Sequence, residues 1–162
     1  MYEDELKVIS QAILNEIEGY EFYNLASAHG SAGSKEAFKE LANEELEHVS
    51  FLKDLYNKIK TSENDDIRLA FEVQVPSPEI YKWDKVNEQL STLAMSVFSI
   101  GIQMEKDSIE FYEKAKAETK LDAARELYDL LIKWEIVHLE QFEGQYNFHK
   151  KEWWAEQGFE PF

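Results

Sequence analysis

The chain has 162 residues, 44% of them hydrophobic and 31% charged, which suits one domain with a core of its own. Thirty-three acidic against 17 basic residues give a formal charge of −16, a field that repels phosphate backbones and anionic headgroups and so argues against nucleic acid or membrane partners. Cysteine is absent, excluding disulfides, thiolate metal sites and a rubredoxin-like iron centre, and three prolines with six glycines leave little for turn-rich β architecture.

Met1-Tyr-Glu-Asp-Glu-Leu-Lys7 lacks the basic and apolar regions of a signal peptide, so a cytoplasmic location is expected. A first helix is predicted from about Glu5 to Ser27, with Ile9, Ile13, Glu16, Tyr20 and Tyr23 on one stripe and Ala12 and Gly19 beside it. His29-Gly-Ser-Ala-Gly-Ser34 is a short break, Ser34 being the expected N-cap of a second helix from about Lys35 to Lys60. So short a loop makes the two helices antiparallel neighbours. On the second, Phe38, Leu41, Glu45, His48, Leu52 and Leu55 follow a 3-4-3-4-3 spacing, the core stripe of a bundle helix with two polar residues set into it.

Thr61 to Val86 reads as one long crossover, because Pro76 and Pro78 interrupt any continuous helix and helices two and three must run parallel. A short turn of helix is expected around Ser77 to Trp83. The third helix spans about Val86 to Glu118, with Val97, Gly101, Glu105, Ser108 and Tyr112 on its stripe. After a turn at Thr119 and Lys120, the fourth runs from about Asp122 past Tyr146, with Tyr128, Leu131, Glu135, His138, Phe142 and Gln145 inward. One all-α domain is expected over residues 1–162: a hairpin at 5–60, the crossover at 61–86, a hairpin at 87–150 and an aromatic tail at 151–162. In that tail Trp153, Trp154 and Phe159 are expected to cap the bundle end or a dimer contact.

The two hairpins repeat one design. Glu16-Ile-Glu-Gly-Tyr-Glu-Phe-Tyr23 aligns with Glu105-Lys-Asp-Ser-Ile-Glu-Phe-Tyr112, and 29 or 30 residues after each leading Glu comes a Glu-x-x-His pair, Glu45/His48 or Glu135/His138. Residues three apart leave one helix face together. Packed face to face, the hairpins bring Glu16, Glu45, His48, Glu105, Glu135 and His138 to mid-bundle. Four carboxylates cannot all stay ionised in a low-dielectric core without cations, and two divalent ions balance them. Hard oxygen donors with one imidazole per metal suit iron or manganese, whereas structural zinc is usually richer in Cys or His.

At these residues the sequence resembles the ferritin-like superfamily, specifically the rubrerythrin-type and bacterioferritin-type di-iron carboxylate proteins, over nearly the whole chain. The resemblance implies a ferritin-like four-helix bundle, up-down-down-up, with a left-handed crossover between helices two and three. It also implies that Glu16 and Glu105 are terminal ligands, that Glu45 and Glu135 bridge two non-haem iron ions, and that His48 and His138 each complete one. Tyr23 and Tyr112 would hydrogen-bond ligand carboxylates. The implied activity is that of a di-iron oxidoreductase in an oxidative-stress setting: reduction of peroxide or oxidation of iron(II), with iron ions, peroxide or dioxygen and an external electron donor as partners. The sequence departs from the family in three places. Ser108 stands where rubrerythrins carry a further Glu, the Cys-rich rubredoxin domain has no counterpart here, and Glu44, suited to orient a histidine, is matched in the second hairpin by Trp134, which only donates.

No feature marks a storage shell, so a small oligomer, a homodimer, is expected, and the long crossover permits exchange of helices between two chains. Iron handling or storage without peroxidase turnover stands as an alternative, as does a metal-free structural bundle. A metal-free reading of the Glu-x-x-His pairs leaves Glu16 and Glu105 unpaired in the same core. Met104 reads as core filler, and His29 and His149 as solvent-facing.

Overall fold

In a computed structural model describing residues 2–29, 32–62, 67, 75 and 91–158, the chain forms four long helices: α1 Glu3–His29, α2 Ala32–Thr61, α3 Ser91–Glu118 and α4 Asp122–Gln157. There is no strand among the described residues. Glu3, Asp4 and Glu5 occupy the first turn of α1 and Lys58 and Lys60 the last turn of α2, each placed to favour the helix dipole. The four stripes turn inward together. Ile9, Leu41, Leu52, Leu55, Leu127, Leu131 and Phe142 are fully buried.

Helices α1 and α2 pack tightly as one hairpin and α3 and α4 as another, with far sparser packing of α1 on α3 and α2 on α4. Cross-hairpin hydrogen bonds set the directions. Tyr23 reaches Glu105 while Tyr112 reaches Glu16, so α1 and α3 are antiparallel. Glu44 reaches His138 while Trp134 lies against His48, so α2 and α4 are antiparallel as well. With each hairpin antiparallel, the order is up-down-down-up, the all-α ferritin-like bundle.

The core divides into two apolar clusters with a polar layer between them. One is built around Ile9, Leu55, Tyr112, Leu127 and Leu131, the other around Tyr23, Phe38, Leu41, Phe98 and Phe142. Glu5 on α1 ties the hairpins together at the first end. It accepts from Thr119 Oγ1 at 2.6 Å and from the Tyr128 hydroxyl at 2.5 Å, and Thr119 Oγ1 in turn accepts from the amide of Leu121 at 3.2 Å.

Two boundaries differ most from the sequence reading. α2 begins at Ala32, so Ser34 lies inside its first turn, buried, and is not the N-cap. α4 continues through Gln157, taking Trp153 and Trp154 out of the expected tail, because nothing in Lys151–Gln157 breaks a helix. It stops at Gly158, whose φ of 72° only glycine adopts without strain and whose amide donates to Ala155 O at 3.2 Å. Apart from residues 67 and 75, the crossover beyond Ser62, with its helical turn and handedness, lies outside the described residues, as do the stretch Val86–Leu90 of the third helix and Phe159.

Candidate metal centre

All six residues of the predicted ligand set meet in the polar layer, each at most 4% exposed. They form two overlapping groups. Glu16, Glu45, His48 and Glu135 present ligand atoms all within 4.8 Å of one another, and so do Glu45, Glu105, Glu135 and His138. Glu45 and Glu135 belong to both. Glu135 turns Oε1 to His48 Nδ1 at 3.1 Å and Oε2 to His138 Nδ1 at 3.3 Å. Glu45 does likewise, with Oε1 3.3 Å from His138 Nδ1 and Oε2 3.9 Å from His48 Nδ1. Glu16 faces only His48, at 3.0 Å, and Glu105 only His138, at 3.5 Å. The geometry itself therefore separates two shared carboxylates from two that serve one side each.

Donor chemistry fits a pair of hard cations. Glu45 Oε1, Glu105 Oε2 and Glu135 Oε1 are buried and make no well-aligned hydrogen bond, although a histidine Nδ1 lies near the first and the last, a costly arrangement unless a cation takes their lone pairs. Each group offers three carboxylates and one imidazole nitrogen, the oxygen-rich mixture that suits iron or manganese.

The sequence model of the rubrerythrin family, described simply as rubrerythrin, matches residues 7–146. The chain belongs to the rubrerythrin family. That match reaches into all four helices and takes in every residue of the cluster. No curated protein and no solved structure matches the chain.

Around this rubrerythrin-type cluster the tyrosines act across hairpins. The Tyr23 hydroxyl donates to Glu105 Oε1 and that of Tyr112 to Glu16 Oε1, so each fixes a single-sided carboxylate of the opposite hairpin. Their rings are rooted in the two apolar clusters. Glu44 Oε2 accepts from His138 Nε2 at 2.6 Å and from Trp134 Nε1 at 2.9 Å. The sequence suits Glu44 to a histidine but does not reveal the indole bond to the same oxygen. Its signal lay in the matched positions 44 and 134, whose facing across the bundle only the packing reveals.

Two expectations are corrected. His149 is buried, not solvent-facing: it stacks on Phe98 at 5.6 Å and 8°, and burial pulls its pKa below the ordinary value against the pull of Glu152. α4 extends far enough past the site for its inner face to meet α3 there. Met104 is half-buried and lines a cleft beside the cluster instead of filling the core. His29, the last residue of α1, is exposed as expected.

Without a metal the cluster is held together by protons. Burial raises Glu45 well above the ordinary carboxylate value, helped by the charges of Glu135 and Glu16, and burial with Glu135 raises Glu105. Burial would also raise Glu135, but its hydrogen bond with Glu105 and the charge of His48 hold it well below. Burial opposes a charge on His48, yet the carboxylates of Glu16 and Glu135 outweigh it and lift the pKa from 6.5 to about 10; His138 rises likewise, against burial, chiefly through Glu105.

Because the folded His48 pKa lies above the unfolded one, its contribution to stability is complete below pH 6.5 and is lost as pH rises through about 10. The raised Glu45 and Glu105 act in the same direction, since ionising them in the fold is unfavourable. Chelator-treated protein is expected to melt at least ~5 °C lower at pH 9 than at pH 6, by circular dichroism, an order of magnitude set by a few kcal/mol of linkage. Saturating metal should abolish or reverse that slope, because binding displaces those protons. A metal-free melting curve independent of pH would contradict the assignment.

Gly19 provides a second handle. A Cβ there would stand 3.1 Å from Glu45 Oε2. Gly19→Ala gains up to ~1 kcal/mol of helix propensity but pushes on a shared carboxylate. Metal-free melting is expected to stay level or rise while metal affinity falls about tenfold, comparable to the loss of a supporting contact. Calorimetric titration beside thermal melts separates the two effects.

Proposed function

We propose that the chain is a non-haem di-iron redox protein of rubrerythrin type that reduces peroxide, and whose iron(II) is thereby oxidised. The observation that carries this reading is the pair of ligand groups sharing Glu45 and Glu135. When bound, two iron(II) ions supply the two electrons that, with two protons, convert hydrogen peroxide to two waters. Glu16, Glu45, His48, Glu105, Glu135 and His138 would hold the ions. Tyr23 and Tyr112 keep the terminal carboxylates aimed inward, while the apolar clusters above and below keep bulk water away.

Access is through a cleft of about 360 Å³ between α1 and α3, where Glu16, Glu45, Glu105 and Glu135 reach its floor. Asn15, Glu18, Asp107 and Ser108 line it together with Met104 and Phe111, so the path to the cluster carries polar groups beside apolar ones. A cleft of this size gives a small oxidant such as peroxide room to reach the carboxylates. Ser108 leaves open the place where a bulkier carboxylate would stand. Each turnover requires two electrons back, and with no cysteine in these 162 residues an external donor supplies them.

Protein purified anaerobically and loaded with iron(II) tests this directly. Two irons per chain, oxidised at least ~10-fold faster by peroxide than by dioxygen, are expected. Faster reaction with dioxygen and continued uptake beyond two irons would move the function to iron oxidation and storage. Failure to hold iron or manganese would leave only a structural bundle.

A further inference from the structure

The internal repeat would make the two halves of the centre equal, but one pair of residues breaks the equivalence. Glu44 directly precedes Glu45, and Trp134 directly precedes Glu135, at matching positions of α2 and α4. Each faces the histidine of the opposite helix. Glu44 accepts from His138 Nε2 at 2.6 Å. Trp134 instead sets its ring at 80° to His48 with centroids 4.8 Å apart. An indole has one donor and no acceptor, and this one gives its N–H to Glu44 at 2.9 Å. His48 Nε2 is left buried with no hydrogen-bond partner among the described residues.

Both imidazoles turn Nδ1 toward the carboxylates, so Nδ1 is the atom available to a metal and the proton must sit on Nε2. For His138 that tautomer is the one Glu44 holds. For His48 the same tautomer leaves a buried N–H without an acceptor, and on that side of the ring only packing holds its orientation. Trp134 therefore acts twice: it denies His48 a carboxylate and pins the carboxylate that serves His138.

On the di-metal reading proposed above, on which this inference rests, we propose that Glu44 and Trp134 are positioning residues that make the two metal positions unequal. The position of His138 and Glu105 fills first and holds its ion tightly. The position of His48 and Glu16 fills second and exchanges. Outer carboxylate partners of ligand histidines are worth about 10- to 100-fold in metal affinity, so the two steps separate by a factor of that order. Between them lies a range of metal concentration in which the protein is half-loaded.

Titration of the chelator-treated full chain with cobalt(II), followed by visible absorption and calorimetry, reads the two steps without turnover. Wild type is expected to show two steps about 10- to 100-fold apart. His48→Gln should remove the weaker step and His138→Gln the tighter. Glu44→Ala should weaken the tight step about 10- to 100-fold until the two merge, with Glu44→Gln between. Trp134→Glu supplies His48 with an acceptor and should tighten the weak step, whereas Trp134→Phe should leave that step unmoved. Should Trp134→Glu not fold, the Glu44 variants decide alone. Two equal steps in wild type, or a Glu44 change that acts on the weak step, overturns the inequality while leaving the two-metal centre standing. No cobalt bound overturns the centre itself and the inequality with it.

Discussion

Glu135→Ala is expected to bind metal at least ~100-fold more weakly at both positions and to lose with it the peroxide reduction proposed above. Loss of a supporting partner alone costs 10- to 100-fold, and Glu135 offers one oxygen to each histidine, so its removal strips a ligand from both groups at once. The same change should destabilise the metal-free fold by about 3 kcal/mol near pH 6, because Glu135 is the ionised partner of two buried, protonated histidines. Glu45→Ala makes an informative contrast. Glu45 also faces both histidines, so metal binding should fall as far, but burial raises its pKa and favours its neutral form in the metal-free protein, where its loss should cost little. Metal stoichiometry and thermal melts of the two variants, with and without metal, measure both quantities. Equal loss of metal-free stability in the two would show that the charges are not arranged as described.

Phe142→Ala is expected to lower stability by about 3–5 kcal/mol, a large share of the ~5–15 kcal/mol that keeps a domain folded. The ring is fully buried and lies among Tyr23, Phe38 and Phe98, with centroids 5.4, 6.3 and 6.0 Å away. It also fills the space above Gly101, where a Cβ would come within 3.1 Å of two ring carbons. For a chain of this size such a loss lowers the melting temperature by roughly 6–20 °C. Phe142→Leu, which leaves a smaller void, should retain much of it. The damage should reach the site, because Tyr23 packs on Phe142 and donates to Glu105. Calorimetric melting of the metal-free variants tests the stability; a shift below ~2 °C would mean that the aromatic cluster relaxes to fill the cavity.

Much of the site was legible before any coordinates. Spacing of three and four along each helix is local, and so is the repeat of Glu, Tyr and Glu-x-x-His in the two halves. Those patterns carried the four helices, the inward faces and all six residues that meet in the polar layer. The helix ends were read less well. Ser34 resembled a cap by type, and residues 151–157 resembled a tail by aromatic content, but which backbone amide is left unsatisfied is a matter of geometry and not of residue type.

What periodicity could not supply is which group meets which across the bundle. That depends on the axial register of two hairpins, set by how their apolar clusters interlock above and below the site. Register decides that Glu45 and Glu135 address both histidines while Glu16 and Glu105 address one each. It decides that each tyrosine serves the opposite hairpin, and that His149 is buried on Phe98. It also places Glu44 within reach of both His138 and Trp134 and leaves His48 Nε2 alone. The residue types of a metal centre are written at helical spacing along the chain; its asymmetry arises only where side chains from different helices compete for the same oxygen.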